Sequence, residues 1–384
     1  MERKDFISKI TGFLSRDVRD AEGNEIPYAV CAPTKNSDGT ENGARLYCFG
    51  GANLAEIKNG RIEHLKNSYV FRDGKVTANQ PSQYIEESEF MEFVSERKKY
   101  NSMSLDELDL DKEYHDFLRK CVNIAEKWSK SQNKEERSIE TGIVQKSREN
   151  KTSCVIDMEF NIPYTRKCKI MGIDVVRSPR IDLVIYDETD RSFGMIELKN
   201  EGDTDMNAQN MRKHYADFTA VLDSDCLSGI LEDLQRRTVW LRDNGIITLK
   251  ETFPNVINKI WYGFLFVGDN VDSYRRLYKD DLLLKRPVDV DPWIMKERKA
   301  GQIKVSDLRD RYEDMIKNEW VRYKFCTPKE LDRISLSFSD MLTYDQFMGI
   351  LTDEKKTFSV TETGRSKVHI LQTPGRGKSK NKQD

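Results

Sequence analysis

The feature that most constrains the fold is a set of apolar runs with the composition of buried strands. Residues 180–186 and 193–199 are two such runs, separated by the short polar segment 187–192. A third run, residues 259–267, is almost continuously apolar and rich in aromatic and β-branched residues. Runs of this kind are typical of strands that are covered on both faces. The chain must therefore supply helices that cover both faces of a sheet.

Helical patterns flank these runs. We predict helices at 114–131, 134–148, 205–222 and 227–244, and a further strand at 154–162. Within 205–222, the apolar residues are spaced three and four apart, which places them on one helix face; they are Ala208, Met211, Tyr215, Phe218 and Leu222. The resulting order of helix, three strands, helix and strand predicts an α/β core.

The regions on either side of this core differ from it. Residues 1–100 are predicted to form a β-rich domain with a leading helix at 6–14. Its hairpin signals are Asn59-Gly60, between 54–58 and 61–65, and Asp73-Gly74, between 69–72 and 75–78. Residues 101–290 then form the core domain. Residues 291–373 are predicted to be mostly helical and to end in a hairpin of 358–361 with 368–371, before a disordered basic tail at 374–384.

Composition narrows the class of protein. The chain of 384 residues carries 63 Lys and Arg against 65 Asp and Glu, a formal charge of −2. This balance argues against a nucleic-acid coating protein and leaves room for a local basic groove. Neither a signal segment nor an apolar run near the roughly 20 residues of a membrane span is present. Seven cysteines and four histidines are scattered, with no Cys-x-x-Cys pair, which favours a cytoplasmic protein without a zinc site.

Two acidic residues lie on the paired central strands. If the loop is residues 188–191, Asp187 faces Ser192 and Asp182 faces Glu197, with Cβ atoms about 5 Å apart. Side chains alternate along a strand, so Asp182, Glu197 and Lys199 share one face. The other face then receives the apolar residues Ile181, Leu183, Ile185, Ile196 and Leu198.

This pairing predicts a particular chemistry. Opposed carboxylates repel each other, and a divalent cation with a preference for oxygen, Mg²⁺ or Mn²⁺, removes the repulsion. Lys199 would lie beside the cation, where it can orient a water or stabilise charge on a phosphorus. These are the components of metal-assisted phosphodiester hydrolysis. The alternative is a pair of solvated carboxylates at strand ends with Lys199 as their ion-pair partner.

The Glu-x-Lys pattern alone is not specific, because the chain contains seven examples. Only the one at Glu197 ends an apolar strand with an acid on the strand before it. The nearest rival is Glu56-Ile57-Lys58, but the preceding strand, 45–49, carries no acid.

Asp182 followed by Glu197-Leu198-Lys199 resembles the PD-(D/E)XK phosphodiesterase superfamily, which has the restriction-endonuclease-like fold. The resemblance covers about residues 114–270. It implies that Asp182 and Glu197 bind the metal, that Leu198 offers its backbone carbonyl, and that Lys199 is catalytic. It also implies a glutamate from the preceding helix, Glu140 or alternatively Glu136, and a supporting Gln209 on the following helix.

The chain departs from the family pattern at two positions. Pro179 lies three residues before Asp182, where the pattern has the two adjacent. Lys213 occupies the position four after Gln209, where exonuclease-like members have a tyrosine. The second departure leaves exonuclease and endonuclease modes open.

The function implied by this resemblance is a Mg²⁺- or Mn²⁺-dependent nuclease, acting on DNA rather than RNA, in restriction, phage defence or repair. Candidate nucleic-acid contacts are Arg212, Lys213, Arg275 and Arg276. A solvated helix face is the preferred explanation of the first two, and a helix that packs Tyr274 and Tyr278 inward explains the others equally. Further alternatives are a nuclease-fold binding or assembly protein, a nuclease gated by a ligand or partner, a homo-oligomer and an RNase.

Overall fold

The computed structural model describes residues 3–34, 42–76, 80–131, 135–148, 153–162, 169–170, 173–174, 180–201, 214, 218, 221, 227–249, 259–269, 271–278 and 320–370. Across these residues the protein is a mixed α/β structure with eight α-helices and four sheets. Among the described helices, none combines the length and the apolar character needed to cross a lipid bilayer. Two larger sheets, one of four strands and one of five, organise the described part of the molecule.

An antiparallel sheet of four strands forms the N-terminal part. Its elements are α1 (Arg3–Asp17), β1 (Tyr28–Cys31), β2 (Ala44–Cys48), β3 (Ala52–Lys58) and β4 (Arg61–His64), with the strands in sequential order. The predicted leading helix and the hairpin at Asn59-Gly60 are both confirmed. Asn59 and Gly60 have φ of 53° and 72°, the positive values that a two-residue turn between twisted strands requires.

The second predicted hairpin, around Asp73-Gly74, is wrong. The chain forms the helical turn α2 (Asn67–Val70) and then a 3₁₀ turn at Arg72–Gly74. Asp73 and Gly74 do take positive φ values of 56° and 68°, so the turn signal itself was sound. Its flanks do not pair with each other, because Tyr69 and Val70 are drawn into the apolar core beneath the sheet.

Two long helices cover this sheet, α3 (Glu87–Ser102) and α4 (Lys112–Ser131). The apolar face of α4 contributes Tyr114, Phe117, Cys121 and Ala125 to the same cluster as Phe6 of α1. The N-terminal core thus extends past residue 100, because α4 packs on the four-stranded sheet.

The second large sheet is mixed and has five strands. Its surrounding elements are α5 (Glu135–Ser147), β5 (Ser153–Asn161), the short pair β6 (Lys169–Ile170) and β7 (Ile173–Asp174), β8 (Arg180–Asp187), β9 (Ser192–Asn200), α6 (Leu227–Asp243), β10 (Lys259–Val267) and β11 (Val321–Cys326). The strand order is β11-β10-β9-β8-β5. Strands β5, β8 and β9 are antiparallel neighbours, whereas β9, β10 and β11 run parallel.

Both faces of the mixed sheet are covered, as the apolar runs predicted. One face packs Leu183, Ile185, Ile196 and Leu198 against Ile143 and Val144 of α5. The other packs Val184, Tyr186, Phe193 and Met195 against Ile230 and Leu234 of α6. Ile181 is an exception to the predicted alternation, since it packs in this second cluster with Phe160 near a register shift in β5.

The C-terminal part departs from the prediction in one respect. Residues 321–326 are the parallel edge strand β11 and not helix. Arg322 and Lys324 are buried, so the strand's polar alternates do not mark a solvent face. The helix α7 (Val271–Tyr278) lies before the predicted C-terminal region and matches the helix that was the alternative explanation for Arg275 and Arg276. Within the C-terminal region, α8 (Tyr344–Thr352) is helical as predicted, and the terminal hairpin of β12 (Lys356–Val360) and β13 (Ser366–Ile370) is confirmed. Residues 279–319 and the tail 374–384 lie outside the described residues.

Candidate active site

The hairpin of β8 and β9 sets the geometry of the site. Its register pairs Asp187 with Ser192 and continues to Leu183 with Ile196, which confirms the predicted four-residue loop. The buried Asp187 carboxylate fixes the turn by accepting from Thr189 N at 3.0 Å and from Phe338 N at 3.1 Å. Burial raises the pKa of Asp187. The next pair outward in the same register is Asp182 with Glu197.

Asp182 and Glu197 meet on the same side of neighbouring strands, as predicted. Asp182 Oδ2 accepts a hydrogen bond from the backbone N of Leu198 at 2.8 Å. The carboxyl groups of Asp182 and Glu197 lie within hydrogen-bonding reach of each other. The exposed fractions of Asp182 and Glu197 are 7% and 2%. The strand geometry therefore brings two acids together in the interior of the protein.

Lys199 completes the predicted cluster. Its side chain is buried, and Nζ lies 3.7 Å from Glu197 Oε2. The alternative of solvated carboxylates at strand ends is wrong, because both acids and the lysine are enclosed by the protein. The ion pair that this alternative also predicted is present.

His214 is a member of the site that the sequence analysis missed. Its Nδ1 lies 3.3 Å from Glu197 Oε2, and its ring meets Phe264 of β10 edge to face. In the sequence, His214 directly follows Lys213 and lies five residues after the predicted supporting residue Gln209. The prediction that Gln209 supports the site would therefore also have predicted His214 near it. The sequence did not single out His214, because no other histidine or cysteine lies close to it in the chain.

The charges around Glu197 determine its protonation. Burial alone would raise the pKa of Glu197, but His214, then Lys199 and a hydrogen bond with Asp182, overcome this effect and lower the pKa to about 2. Glu197 is therefore ionised at neutral pH. Its second oxygen, Oε1, is buried and accepts no hydrogen bond within the described part of the chain. Other buried acceptors of the described residues, such as Asn53 Oδ1 and Asp190 Oδ2, also lack a donor, but Glu197 Oε1 belongs to an ionised group beside a second acid, where a ligand or a water would complete the bonding.

Glu140 is buried on α5, with an exposed fraction of 1%. The residues one turn further along, Ile143 and Val144, pack on the face of β8 and β9 that carries Leu183 and Leu198. Helix α5 thus covers the face opposite to that of Glu197 and Lys199. A role for Glu140 in the site remains a prediction, and the side chain of the alternative, Glu136, lies outside the described residues.

The predicted nucleic-acid contacts are placed in part. Gln209, Arg212 and Lys213 lie outside the described residues, as does the side chain of Arg276. Arg275 donates to the carbonyl oxygens of Ile350, Asp353 and Lys356 and pairs with Asp272 at 2.6 Å. These bonds fasten α7 to the C-terminal segment and occupy the guanidinium, so we withdraw Arg275 as a nucleic-acid contact. The packing of Tyr274, whose OH donates to Val267 O at 2.7 Å, agrees with the alternative explanation.

The cluster has donors that suit a hard divalent cation, although no three His, Cys, Asp or Glu side chains within the described ranges already stand in the arrangement of a metal centre. Among the described residues, Glu197 Oε1 is an acceptor with no donor, and the carboxyl group of Asp182 adjoins that of Glu197. Carboxylate oxygens are the ligands that Mg²⁺ and Mn²⁺ prefer. The side chains present therefore fit such a cation.

Comparisons of the chain with models of known protein families, with curated proteins and with solved structures find no match.

Proposed function

We propose that the protein is a metal-dependent nuclease whose active site is built from Asp182, Glu197 and Lys199. The observation that carries the proposal is the buried carboxyl pair on β8 and β9, in which Glu197 Oε1 has no donor within the described residues. Support comes from the order of α5, the three large-sheet strands β5, β8 and β9, then α6 and β10, which is the order expected of the restriction-endonuclease-like core once the short pair β6 and β7 is set aside.

Energetics favour a ligand over a structural role for the acids. An ionised carboxylate that is taken out of water without full compensation is costly. Lys199 and His214 both approach the same oxygen of Glu197, Oε2. This leaves the Oε1 side for a cation. A protein that needed only a stable sheet would be better served by apolar residues at these positions.

Each residue then has a separate task. The Leu198 backbone N holds Asp182 in place through its bond to Oδ2, and we propose that the Leu198 carbonyl joins Asp182 and Glu197 as a ligand. When bound, Mg²⁺ or Mn²⁺ would lower the pKa of a water and polarise the phosphate. Lys199, held beside Glu197, orients that water and stabilises the negative charge that develops on the phosphorus oxygens.

DNA is the substrate that we propose, with Gln209, Arg212, Lys213 and Arg276 as the residues that support the site or contact the backbone. Restriction, phage defence and repair are the settings that suit such an enzyme in the cytoplasm.

A ligand- or partner-gated nuclease is favoured by one observation. Helix α5 is held by the N-terminal sheet, because Gln145 Oε1 accepts from Tyr28 N at 3.2 Å and Arg148 donates to Val30 O.

The test is a cleavage assay with supercoiled, linear and single-stranded DNA and with RNA, each in Mg²⁺, Mn²⁺ or EDTA. We expect cutting of DNA that requires the metal and is abolished by Asp182→Ala. The matched control is the double variant Glu56→Gln, Lys58→Ala, which alters the same Glu-x-Lys pattern outside the site and should cut normally.

Other outcomes would redirect the proposal. Cutting in EDTA, or undiminished cutting by Asp182→Ala, would contradict it. Cutting of RNA alone would make the protein an RNase. Binding of Mn²⁺ that depends on Asp182, without cutting of any substrate, would favour the binding or gated alternatives.

A further inference from the structure

Glu159 of β5 has a backbone conformation that is uncommon for its residue type. Its φ is 53°, in the left-handed region that residues other than glycine rarely adopt. The residues on either side of it pack on opposite faces of the sheet, Met158 in the cluster with α5 and Phe160 in the cluster with α6. In a regular strand, residues two apart share a face. The strand therefore turns over at Glu159, as strands do at bulges that redirect a side chain.

The register of β5 and β8 places this bulge beside the candidate site. Met158 pairs with Leu183 of β8. Phe160, two residues further along β5, pairs with Ile181. The residue of β8 at the level of the bulge is therefore Asp182. Adjacent strands are about 4.8 Å apart, so the bulge adjoins one of the two acids of the site.

The glutamate at the bulge holds an arginine. Glu159 Oε2 lies 2.9 Å from Nε of Arg180, the first residue of β8. The side chain of Arg180 is 52% exposed, that of Glu159 is 19% exposed, and Asp182 is 7% exposed. Arg180 therefore lies at the surface where β8 enters the protein, and its ion pair holds the guanidinium near the level of Asp182.

An arginine held in this way is suited to bind phosphate. The ion pair is made by Nε, which leaves the two terminal nitrogens for an anion. A guanidinium presents its donors in a planar fork that matches the oxygens of a phosphate group. A single exposed ion pair stabilises a protein less than a left-handed backbone at a residue other than glycine costs. The stability of the fold alone therefore does not account for the bulge at Glu159.

We propose that Arg180 binds a phosphate of the nucleic-acid backbone at the edge of the active site, and that Glu159 is the positioning residue that holds the guanidinium for it. The inference rests on the proposed function, because the substrate supplies the phosphate. Asp182 and Glu197 repel a polyanion, so a cation at the surface beside them favours its approach. Arg180 supplies this cation in the described part of the chain, a role that Arg275 does not fill.

The experiment is the binding of a fluorescent DNA duplex to the full chain in EDTA, measured by anisotropy over a series of salt concentrations. We expect Arg180→Gln to weaken binding by about 10-fold, the lower end of the range for a hydrogen bond to a charged group. The slope of log K against log salt should become shallower by about 0.9, the value for one phosphate contact. Arg180→Lys should keep the slope, because it keeps the charge.

Two further variants test the position of the arginine and the role of the glutamate. Arg119→Gln is the matched control, since Arg119 of α4 is 44% exposed and pairs with Asp116 at 2.7 Å, and it should change neither the affinity nor the slope. Glu159→Gln should weaken binding while Arg180 is present. This effect should vanish in the double variant with Arg180→Gln, because the glutamate acts through the arginine.

The outcomes separate this inference from the proposed function. An unchanged affinity and slope in Arg180→Gln would overturn the role of Arg180, and metal-dependent cutting by the wild-type protein would leave the nuclease proposal standing. DNA binding that depends on Arg180, in a protein that cuts no substrate with Mg²⁺ or Mn²⁺, would support the phosphate contact and contradict the nuclease. A wild-type protein that neither binds nor cuts nucleic acid would overturn both.

Discussion

Glu56-Ile57-Lys58 and Glu197-Leu198-Lys199 are the same pattern at the ends of strands β3 and β9. Each glutamate also faces an acid. Glu56 is paired in register with Glu63 of β4, and Glu197 adjoins Asp182 of β8. Glu63 lies on the strand that follows Glu56, whereas Asp182 lies on the strand that precedes Glu197. A search for a facing acid on the preceding strand alone does not find Glu63. The motif and an opposed carboxylate are therefore not enough to distinguish the segments.

Their surroundings differ. Glu56 Oε1 accepts from Gly43 N at 2.8 Å, Oε2 is 3.7 Å from Arg45 Nε, and the side chain of Glu63 is 66% exposed. Lys58 is exposed as well. At Glu56, water and protein donors satisfy the charges. At Glu197, both faces of the sheet are covered and one carboxylate oxygen has no donor among the described residues. Burial in a doubly covered sheet is what converts a common motif into a candidate site.

The N-terminal region also contains two described buried atoms without a hydrogen-bond partner, Arg45 Nε and Asn53 Oδ1, but its buried His64 and Arg97 are satisfied by the protein. His64 is fully buried between Asn101 Oδ1, 2.8 Å from Nδ1, and Tyr114 OH, 2.9 Å from Nε2. Arg97 donates to the carbonyl oxygens of His64 and Leu65 at 2.7 and 2.8 Å. Such a network stabilises one packing arrangement. It contrasts with the site around Glu197, where a ligand would complete the bonding.

The largest expected effect is on cleavage. Lys199→Ala should lower the rate of cutting by about 10²–10⁴-fold, since positioned proton-transfer groups commonly contribute that much. Metal binding should be retained or strengthened, because a nearby positive charge is removed. Lys58→Ala should leave cutting unchanged. Single-turnover rates and Mn²⁺ titrations of both variants measure this, and normal cutting by Lys199→Ala would end the proposed role of the lysine.

The second effect is on stability at low pH in the N-terminal region. Burial lowers the pKa of His64 to about 4, against about 6.5 in the unfolded chain. Between these values the unfolded state binds more protons, so His64 lowers stability as pH falls from 6.5 to 4, by about 3 kcal/mol in all. Urea unfolding of the wild type and His64→Gln across this range should give a smaller loss in the variant. Equal losses would show that His64 is not enclosed in its neutral form.

The third expected effect distinguishes Glu197 from Glu56 by the stability that bound Mn²⁺ adds to the protein. Mn²⁺ at 100 times its dissociation constant should stabilise the wild-type protein by about 2.7 kcal/mol. Glu197→Gln should lose most of this gain, because it removes a carboxylate ligand. Glu56→Gln should keep it. Thermal unfolding with and without Mn²⁺ measures the shifts, and a full shift in Glu197→Gln would place the cation elsewhere.

Local sequence patterns carried the prediction of the site strands. The loop of 188–191, the pairing of Asp187 with Ser192 and the meeting of Asp182 with Glu197 followed from side-chain alternation and one short linker. The same rule failed at Ile181, which packs with its register partner Phe160 in the cluster on the other face of the sheet. The terminal hairpin was likewise predictable, since Gly364 supplies the positive φ of 80° at its turn.

What sequence could not give depends on contacts between distant segments. The strand β11 was missed because its polar residues Arg322 and Lys324 are buried by packing that only the tertiary fold creates. Lys324 Nζ, for example, donates to Gly364 O at 2.5 Å. His214 was missed for the same reason, since its partner Glu197 lies on another element. Arg275 was misjudged because the carbonyl groups that bind it come from 75 or more residues away.

The smallest expected effect is on the free energy of unfolding in the absence of metal. Substitutions at the two segments should change it in opposite directions. Asp182→Asn should raise the free energy of unfolding by about 1 kcal/mol, within the range of ordinary stabilising substitutions at sites that are strained for function. The asparagine oxygen can still accept from Leu198 N, while its amide donates towards Glu197 without the cost of a second buried ionisable group. Glu56→Gln should instead lower stability by up to about 1 kcal/mol, because it weakens the pair with Arg45. Urea unfolding in EDTA measures both changes. A loss of stability in Asp182→Asn would mean that the protein alone satisfies the acids at β8 and β9, and the distinction between the segments would then disappear.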